Sequence, residues 1–365
     1  MSSTDKYPLL QINQNKIYEN ARIVVEKCKE KGISISGVIK GFNGLNCIVK
    51  EFVRAGCAQI ASSRSEKLIE LRKQGLKTTT MLIRLPMESE IDELVRYIDI
   101  SLNSEWRTIE LIEEACRKQK KQHGVVLMFD LGDLREGFFD PKELISQALY
   151  IENNLSYVKL MGIGTNLGCY GSVRPTSENL GRLSALAEEI NVMIGRKLEI
   201  VSGGGTTSLP LLFQGKMPPG INNLRVGEGI LLNRDLPDLW NTHIPGMHQD
   251  TFILKTQIIE IKDKPSYPIG EIYVDAFGNK PIYEDRGIRK RALLAVGKQD
   301  FVEHDKLIPS EEGIEVIGSS SDHLIVDIEN SKRKLKVGDV IEFYMSYSPM
   351  LYLCSSEWVK KKYQF

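Results

Sequence analysis

Gly124-Val125-Val126-Leu127-Met128-Phe129-Asp130 is a short β-branched and apolar run that ends on a carboxylate. A charge-rich amphipathic stretch, Glu105–Lys121, precedes it, and this pairing of strand signal with helix signal repeats outward in both directions. The other strand signals are Ile33–Lys40, Gln59–Ser63, Thr78–Arg84, Asp99–Leu102, Val158–Asn166, Glu199–Gly205 and Asn222–Glu228. Ser65–Lys73 and Ser177–Gly195 are further helical stretches; in the latter, Leu183, Leu186, Ala187 and Ile190 fall on one helix face. Eight strands alternating with helices predict a (β/α)8 TIM barrel. A doubly wound open sheet is the competing reading, but the units run on without a break in rhythm, which favours closure.

Near residue 240 the texture changes. Pro237, Pro245 and Gly246 mark a join, and from Thr251 onward Ile/Val/Tyr-rich runs are separated by turn dipeptides such as Lys264-Pro265, Gly278-Asn279 and Glu312-Gly313. These runs, Phe252–Lys262, Gly270–Val274, Arg291–Val296, Ile314–Gly318, His323–Ile328 and Asp339–Met345, predict an all-β second domain. The expected division is a barrel over 13–240 and a C-terminal β domain over 241–365, with strand 1–12 packing against the latter. A length of 365 residues suits two domains.

Composition narrows the function classes. Lys+Arg and Asp+Glu are both 48, so the chain has no net charge and lacks the basic excess of a nucleic-acid binder. No stretch approaches the ~18 apolar residues of a membrane span, and Met1–Lys6 lacks the regions of a signal peptide. Six scattered cysteines with no CxxC pair read as reduced thiols of a cytoplasmic protein. The five histidines show no metal-ligand spacing, so no metal is expected.

In such a barrel, ligands sit at the C-terminal ends of the strands. The first strand ends in Gly37-Val38-Ile39-Lys40-Gly41; a desolvated lysine there has a lowered pKa and an amine free for Schiff-base chemistry. Taken alone, a lysine capping a strand and pointing into water is the commoner case. The fifth ends in Asp130–Gly137, where Arg135 could grip a carboxylate or merely bridge to Asp133 or Glu136. Asn166, at the end of the sixth, could meet a ring hydroxyl or satisfy a loop. The seventh ends in Ser202-Gly203-Gly204-Gly205-Thr206, a turn whose N–H groups can cradle phosphate with help from the following helix dipole; the eighth, carrying Arg225, ends in Gly227 and Gly229. Lone glycine turns are weak signals, but two at adjacent strand ends, with a lysine on the first strand and an arginine on the last, suit pyridoxal 5'-phosphate.

Across essentially its whole length, the chain resembles the alanine racemase-like (fold type III) pyridoxal-phosphate enzymes, most nearly the ornithine racemase branch. The resemblance rests on Pro8–Asn13, Gly37–Lys40, Gly132–Gly137, Asn222–Gly227 and the second-domain loop Gly318–His323. The ornithine-racemase-like features are Lys264–Ser266, Pro268–Glu271, Asp275–Gly278 and Glu284–Arg291. It implies that Lys40 binds the cofactor and is one acid/base group, and that Arg225 meets the ring nitrogen. Ser202, Gly203, Gly204, Gly205, Thr206 and Gly227 would hold the phosphate, with Asn166 beside the ring. Arg135 would contact the substrate carboxylate. The resemblance also implies a homodimer with shared active sites, in which the loop carrying Ser321, Asp322 and His323 reaches the partner's barrel. Alanine racemases place a tyrosine on the opposite face; the segment matched to it, Pro268–Glu271, has none, and Gly41–Gly44 lacks the tyrosine that follows the cofactor lysine. Candidates for the second base are Tyr267, Tyr273, Glu271, Asp275, Asp322 and His323; Ser321 and Glu271 are read as substrate contacts.

The function implied is two-base racemisation of an amino acid, ornithine first. An arginine at the ring nitrogen stays protonated and leaves that nitrogen unprotonated, weakening the electron sink; this tilts the reading from decarboxylase to racemase. The alternatives are a racemase for lysine, alanine or serine, a basic-amino-acid decarboxylase of the same fold, and a non-catalytic pyridoxal-phosphate binding protein. The last of these lacks a second domain.

Overall fold

The structure is a computed structural model that describes residues 5–365. Two compact units emerge: Asn15–His248, and the N-terminal residues to Gln14 together with Gln249–Phe365.

Strand β1 (Leu9–Asn13) belongs to the second sheet. β2 (Ser34–Val38), β3 (Gln59–Ser62), β4 (Thr79–Leu82), β5 (Ile100–Asn103), β6 (His123–Met128), β7 (Val158–Gly164), β8 (Ile200–Ser202) and β9 (Asn223–Val226) form a closed parallel barrel. It closes through β2 and β9, with Ser36 opposite Arg225 and Gly37 opposite Val226. Helices follow the strands as the pattern requires: α1 (Ser65–Lys73) after β3, α2 (Trp106–Gln119) after β5, α3 (Ser177–Ile194) after β7. At the start of α3, Thr176 Oγ1 accepts from Asn179 N–H and Asn179 Oδ1 from Thr176 N–H; Gly195, at φ +71°, ends it.

The barrel core is apolar over Val38, Ala61, Met81, Ile100, Leu102, Val126, Met128 and Ile200. Polar groups share the interior, and the His123 imidazole is paired there. His123 meets Ser101 Oγ at 2.8 Å and Ile98 O at 3.1 Å, and burial pushes its pKa down to about 4, so it is neutral at pH 7.

The second unit is built on β10 (Phe252–Pro265), whose first half pairs with β1 and with β15 (Val340–Met345) and whose second half pairs with β11 (Ile288–Leu294). The remaining strands are β12 (Leu307–Pro309), β13 (Glu315–Ser319), β14 (Leu324–Asp327) and β16 (Lys360–Gln364), the last parallel to β1. Two expectations are corrected here. Gly270–Val274 is not a strand: it lies in the segment 266–287, without a ladder partner and mostly exposed. Nor is the unit all-β, since Tyr347–Ser355 forms a helix that buries Met350, Leu353 and Cys354 and holds Pro349 in its first turn, where no amide is needed. Among the described residues no helix is long and apolar enough to cross a membrane.

Candidate active site

The strands stop short of Lys40, Arg135, Asn166 and the Gly203–Thr206 turn, whereas Ser202 and Arg225 lie within β8 and β9. β2 ends at Val38, and Lys40 opens a short helical turn, Lys40–Phe42, held by Ile39 N–H to Ala61 O at 2.8 Å. The Lys40 side chain reaches solvent, yet the walls of the mouth desolvate its amine and lower its pKa.

Arg225 on β9 is buried. Its Nη1 donates to Ser202 Oγ at 2.5 Å and its Nη2 to Thr165 O at 2.8 Å. Burial pulls its pKa down to about 10, so the guanidinium stays charged at pH 7. Arg135 follows β6 and is paired with Glu136; its Nη1 also lies 3.0 Å from Cys169 Sγ. The Glu136 pairing raises its pKa. Asp133 braces this loop by accepting from the backbone N–H groups of Cys169, Tyr170 and Val173, tying the β6 and β7 loops together. Of the charges on Lys40, Arg135, Arg225 and Glu136, three are cationic and one anionic, which favours binding of anions.

The glycine turn after β8 is a close backbone cup. Gly204 sits at φ +99°, and a Cβ on Gly205 would lie 2.9 Å from Arg225 O. Thr206 Oγ1 accepts from Gly229 N–H at 3.1 Å, joining this turn to the β9 turn that carries Gly227. The helix that follows, Leu209–Phe213, is five residues long, so the anion-binding capacity lies in the turn's N–H groups rather than in a macrodipole. Ser202 departs from its expected place in the cup: its buried hydroxyl donates to Asn223 Oδ1 at 2.7 Å and accepts from Arg225.

Whether these residues suit pyridoxal phosphate can be tested on their unmet bonds. Thr165 Oγ1 and Asn166 Nδ2 are buried at the end of β7 with no hydrogen-bond partner among the described residues. Such groups cost free energy unless a ligand satisfies them. A phosphorylated ring with a hydroxyl and an aldehyde supplies that partner, and the lysine, the cationic wall and the glycine cup complete the fit.

The other predicted residues lie in the second unit. Ser321, Asp322 and His323 form the turn between β13 and β14, where Asp322 Oδ2 accepts from Ser321 Oγ at 2.8 Å and Asp322 Oδ1 from Gln299 Nε2 at 2.9 Å. Sequence reasoning missed Lys298, whose N–H donates to Ser320 O at 2.9 Å beside this turn. A Cβ on Gly297 would overlap Ser321 O at 2.0 Å, so the two segments touch backbone to backbone, a closeness visible in sequence only as one glycine. The Lys298 ammonium lies 4.0 Å from the Phe277 ring centroid, so the segment 266–287 folds back to this turn. Glu271 and Tyr273 are exposed on that segment.

Residues 12–233 match the family model "Alanine racemase, N-terminal domain". The chain belongs to the alanine racemase family. An ornithine racemase from Acetoanaerobium sticklandii is 45% identical over 98% of this chain and 99% of its own. A lysine racemase from Thermotoga maritima is 40% identical over 98% and 99%. Among solved structures, alanine racemase from Bartonella henselae with covalently bound pyridoxal phosphate superposes with a TM-score of 0.74 at 17% identity, covering 99% of this chain and 100% of that one. The family member described here is an amino-acid racemase.

Proposed function

We propose that this racemase interconverts L- and D-ornithine, with Lys40 as cofactor lysine and one proton-transfer group. The observation that carries the substrate is the similarity to an ornithine racemase over nearly the whole of both chains. Bound pyridoxal phosphate supplies an aldehyde for the substrate amine and a conjugated ring that makes the Cα proton acidic. The Gly203–Thr206 turn and Gly227 would hold its phosphate, with Asn166 beside the ring and Arg225 at the ring nitrogen. Arg135 holds the substrate carboxylate. Lys40 Nζ, with its lowered pKa, carries a proton to and from one face of Cα.

The opposite face needs a second group. It comes from the second unit of a partner copy in a homodimer, at the Ser321–His323 turn. Asp322, His323 and the adjacent Lys298 are its titratable members, and Tyr273 and Glu271 on the neighbouring segment complete the candidates for base and for side-chain recognition. Besides the second copy of the chain, the partner in this reading is a small amino-acid substrate; no nucleic acid or membrane is engaged, and the six free cysteines suit the cytoplasm.

Lysine is the second substrate to consider, because one methylene changes selectivity by only about 10–200-fold. Purified enzyme incubated with single enantiomers of ornithine, lysine, alanine and serine, read by chiral chromatography, tests the proposal. Ornithine is expected to equilibrate fastest and lysine more slowly. Faster turnover of alanine or serine, or release of CO₂, overturns it.

A further inference from the structure

A second layer of polar residues lies beneath the mouth and runs across four adjacent strands. Arg225 Nη1 donates to Ser202 Oγ at 2.5 Å, and Ser202 Oγ donates to Asn223 Oδ1 at 2.7 Å. Asn223 Nδ2 donates to Ser36 Oγ at 3.0 Å, and Ser36 Oγ donates to Gln59 Oε1 at 2.8 Å. Ser36, Ser202 and Asn223 are each no more than 1% exposed, so water does not complete these bonds.

The chain has only one direction. A guanidinium has donors and no acceptor, so Ser202 must accept from Arg225 and give its single proton onward. The Asn223 amide must then present its oxygen to Ser202. A flipped amide would put two donors against Ser202, leaving the serine proton without an acceptor. Every proton therefore points away from Arg225. At its near end, a neutral acceptor holds the arginine where a carboxylate would be the usual partner of a buried cation.

We propose that Ser202 and Asn223 are positioning residues for racemisation: their one-way relay fixes the Arg225 guanidinium as a charged donor aimed at the cofactor's ring nitrogen. The relay rests on the reading that Arg225 meets that nitrogen. It assigns Ser202 to the arginine rather than to the phosphate. A carboxylate in place of Asn223 would still accept from Ser202 but would lose the donor that reaches Ser36 and put a negative charge at the second link.

The test uses the holoenzyme and the pH titration of the bound cofactor's near-visible absorption, beside steady-state kinetics. A hydrogen bond to a charged group is worth about 1.5–3 kcal/mol, which converts to roughly 10–150-fold. Ser202→Ala is expected to lower kcat by that range, leave KM for ornithine within about threefold and shift the absorbance midpoint. Ser202→Thr, which keeps the hydroxyl, restores both. Asn223→Asp shifts the midpoint as well, and the Ser202→Ala/Asn223→Asp double variant shifts it no further than the larger single change. If Ser202→Ala does not fold, Ser36→Ala breaks the far link and shifts the same midpoint by less. Variants that lose thermal stability but keep the native midpoint and kcat overturn the relay. Arg225→Gln separates the two readings. If it leaves the midpoint unmoved, arginine does not face the ring nitrogen. If it moves the midpoint and Ser202→Ala does not, only the relay fails.

Discussion

The barrel mouth and the exposed segment 266–287 answer their polar and apolar groups in opposite ways. At the mouth, Arg225 is braced by Ser202 and Thr165 from neighbouring strand ends and Arg135 is paired with Glu136, while Thr165 Oγ1 and Asn166 Nδ2 are buried without a partner among the described residues. Along 266–287, Ile269 is 91% and Ile282 98% exposed, with Tyr273 at 79%. Apolar area of this kind on a surface marks an interaction site. The mouth is thus braced within one chain, whereas the segment leaves its apolar side chains in solvent, where the proposed homodimer would cover them.

The comparison can be broken or sharpened by experiment. The largest effect is expected at the mouth: Lys40→Ala should lower racemisation by at least about 10⁴-fold, since it removes both the cofactor anchor and a proton carrier. Chiral chromatography of an ornithine time course measures it, and residual activity within tenfold of the native enzyme would detach Lys40 from the chemistry. A core truncation in the second unit comes next. Phe343 is fully buried, and Phe343→Ala should cost about 3–5 kcal/mol in urea denaturation.

His123 gives a pH signature of similar size. Its folded pKa, about 4, lies below the ordinary 6.5, so the unfolded chain binds the extra proton between those values. The stability of the barrel should be intact above pH 6.5 and fall as pH drops toward 4, by on the order of 3 kcal/mol from this group. Denaturation curves at pH 7 and 4.5 check this, and His123→Gln should flatten the slope. The smallest effect on the chain itself is at Ile282 on the exposed segment. Ile282→Ser should change monomer stability by less than about 0.5 kcal/mol while weakening self-association in sedimentation velocity.

The barrel was legible because its signal is periodic. The spacing in Glu105–Lys121 and Ser177–Gly195 falls on the helices Trp106–Gln119 and Ser177–Ile194, and each of the eight strand signals contains most of a barrel strand. Strand ends were read too long, at Lys40, Asn166, Gly205 and Glu228, because side-chain type says nothing about where ladder bonds stop. The same limit turned Gly270–Val274 into a strand: its residues favour extended backbone, but strand status needs a partner. Ser202 was read by its place in a glycine turn. The signal that would have turned it inward lies in the neighbouring strand, where Asn223 and Arg225, two residues apart, share the face that meets it. Lys298 carried no local signal, since its approach to Ser320 joins segments more than twenty positions apart.

The most direct measurement is borohydride reduction of the native enzyme followed by peptide mapping. The reduced cofactor should be fixed on the peptide containing Lys40, and ornithine present during reduction should diminish that labelling. Labelling on another lysine, or on none, would contradict the placement of the cofactor at this barrel mouth.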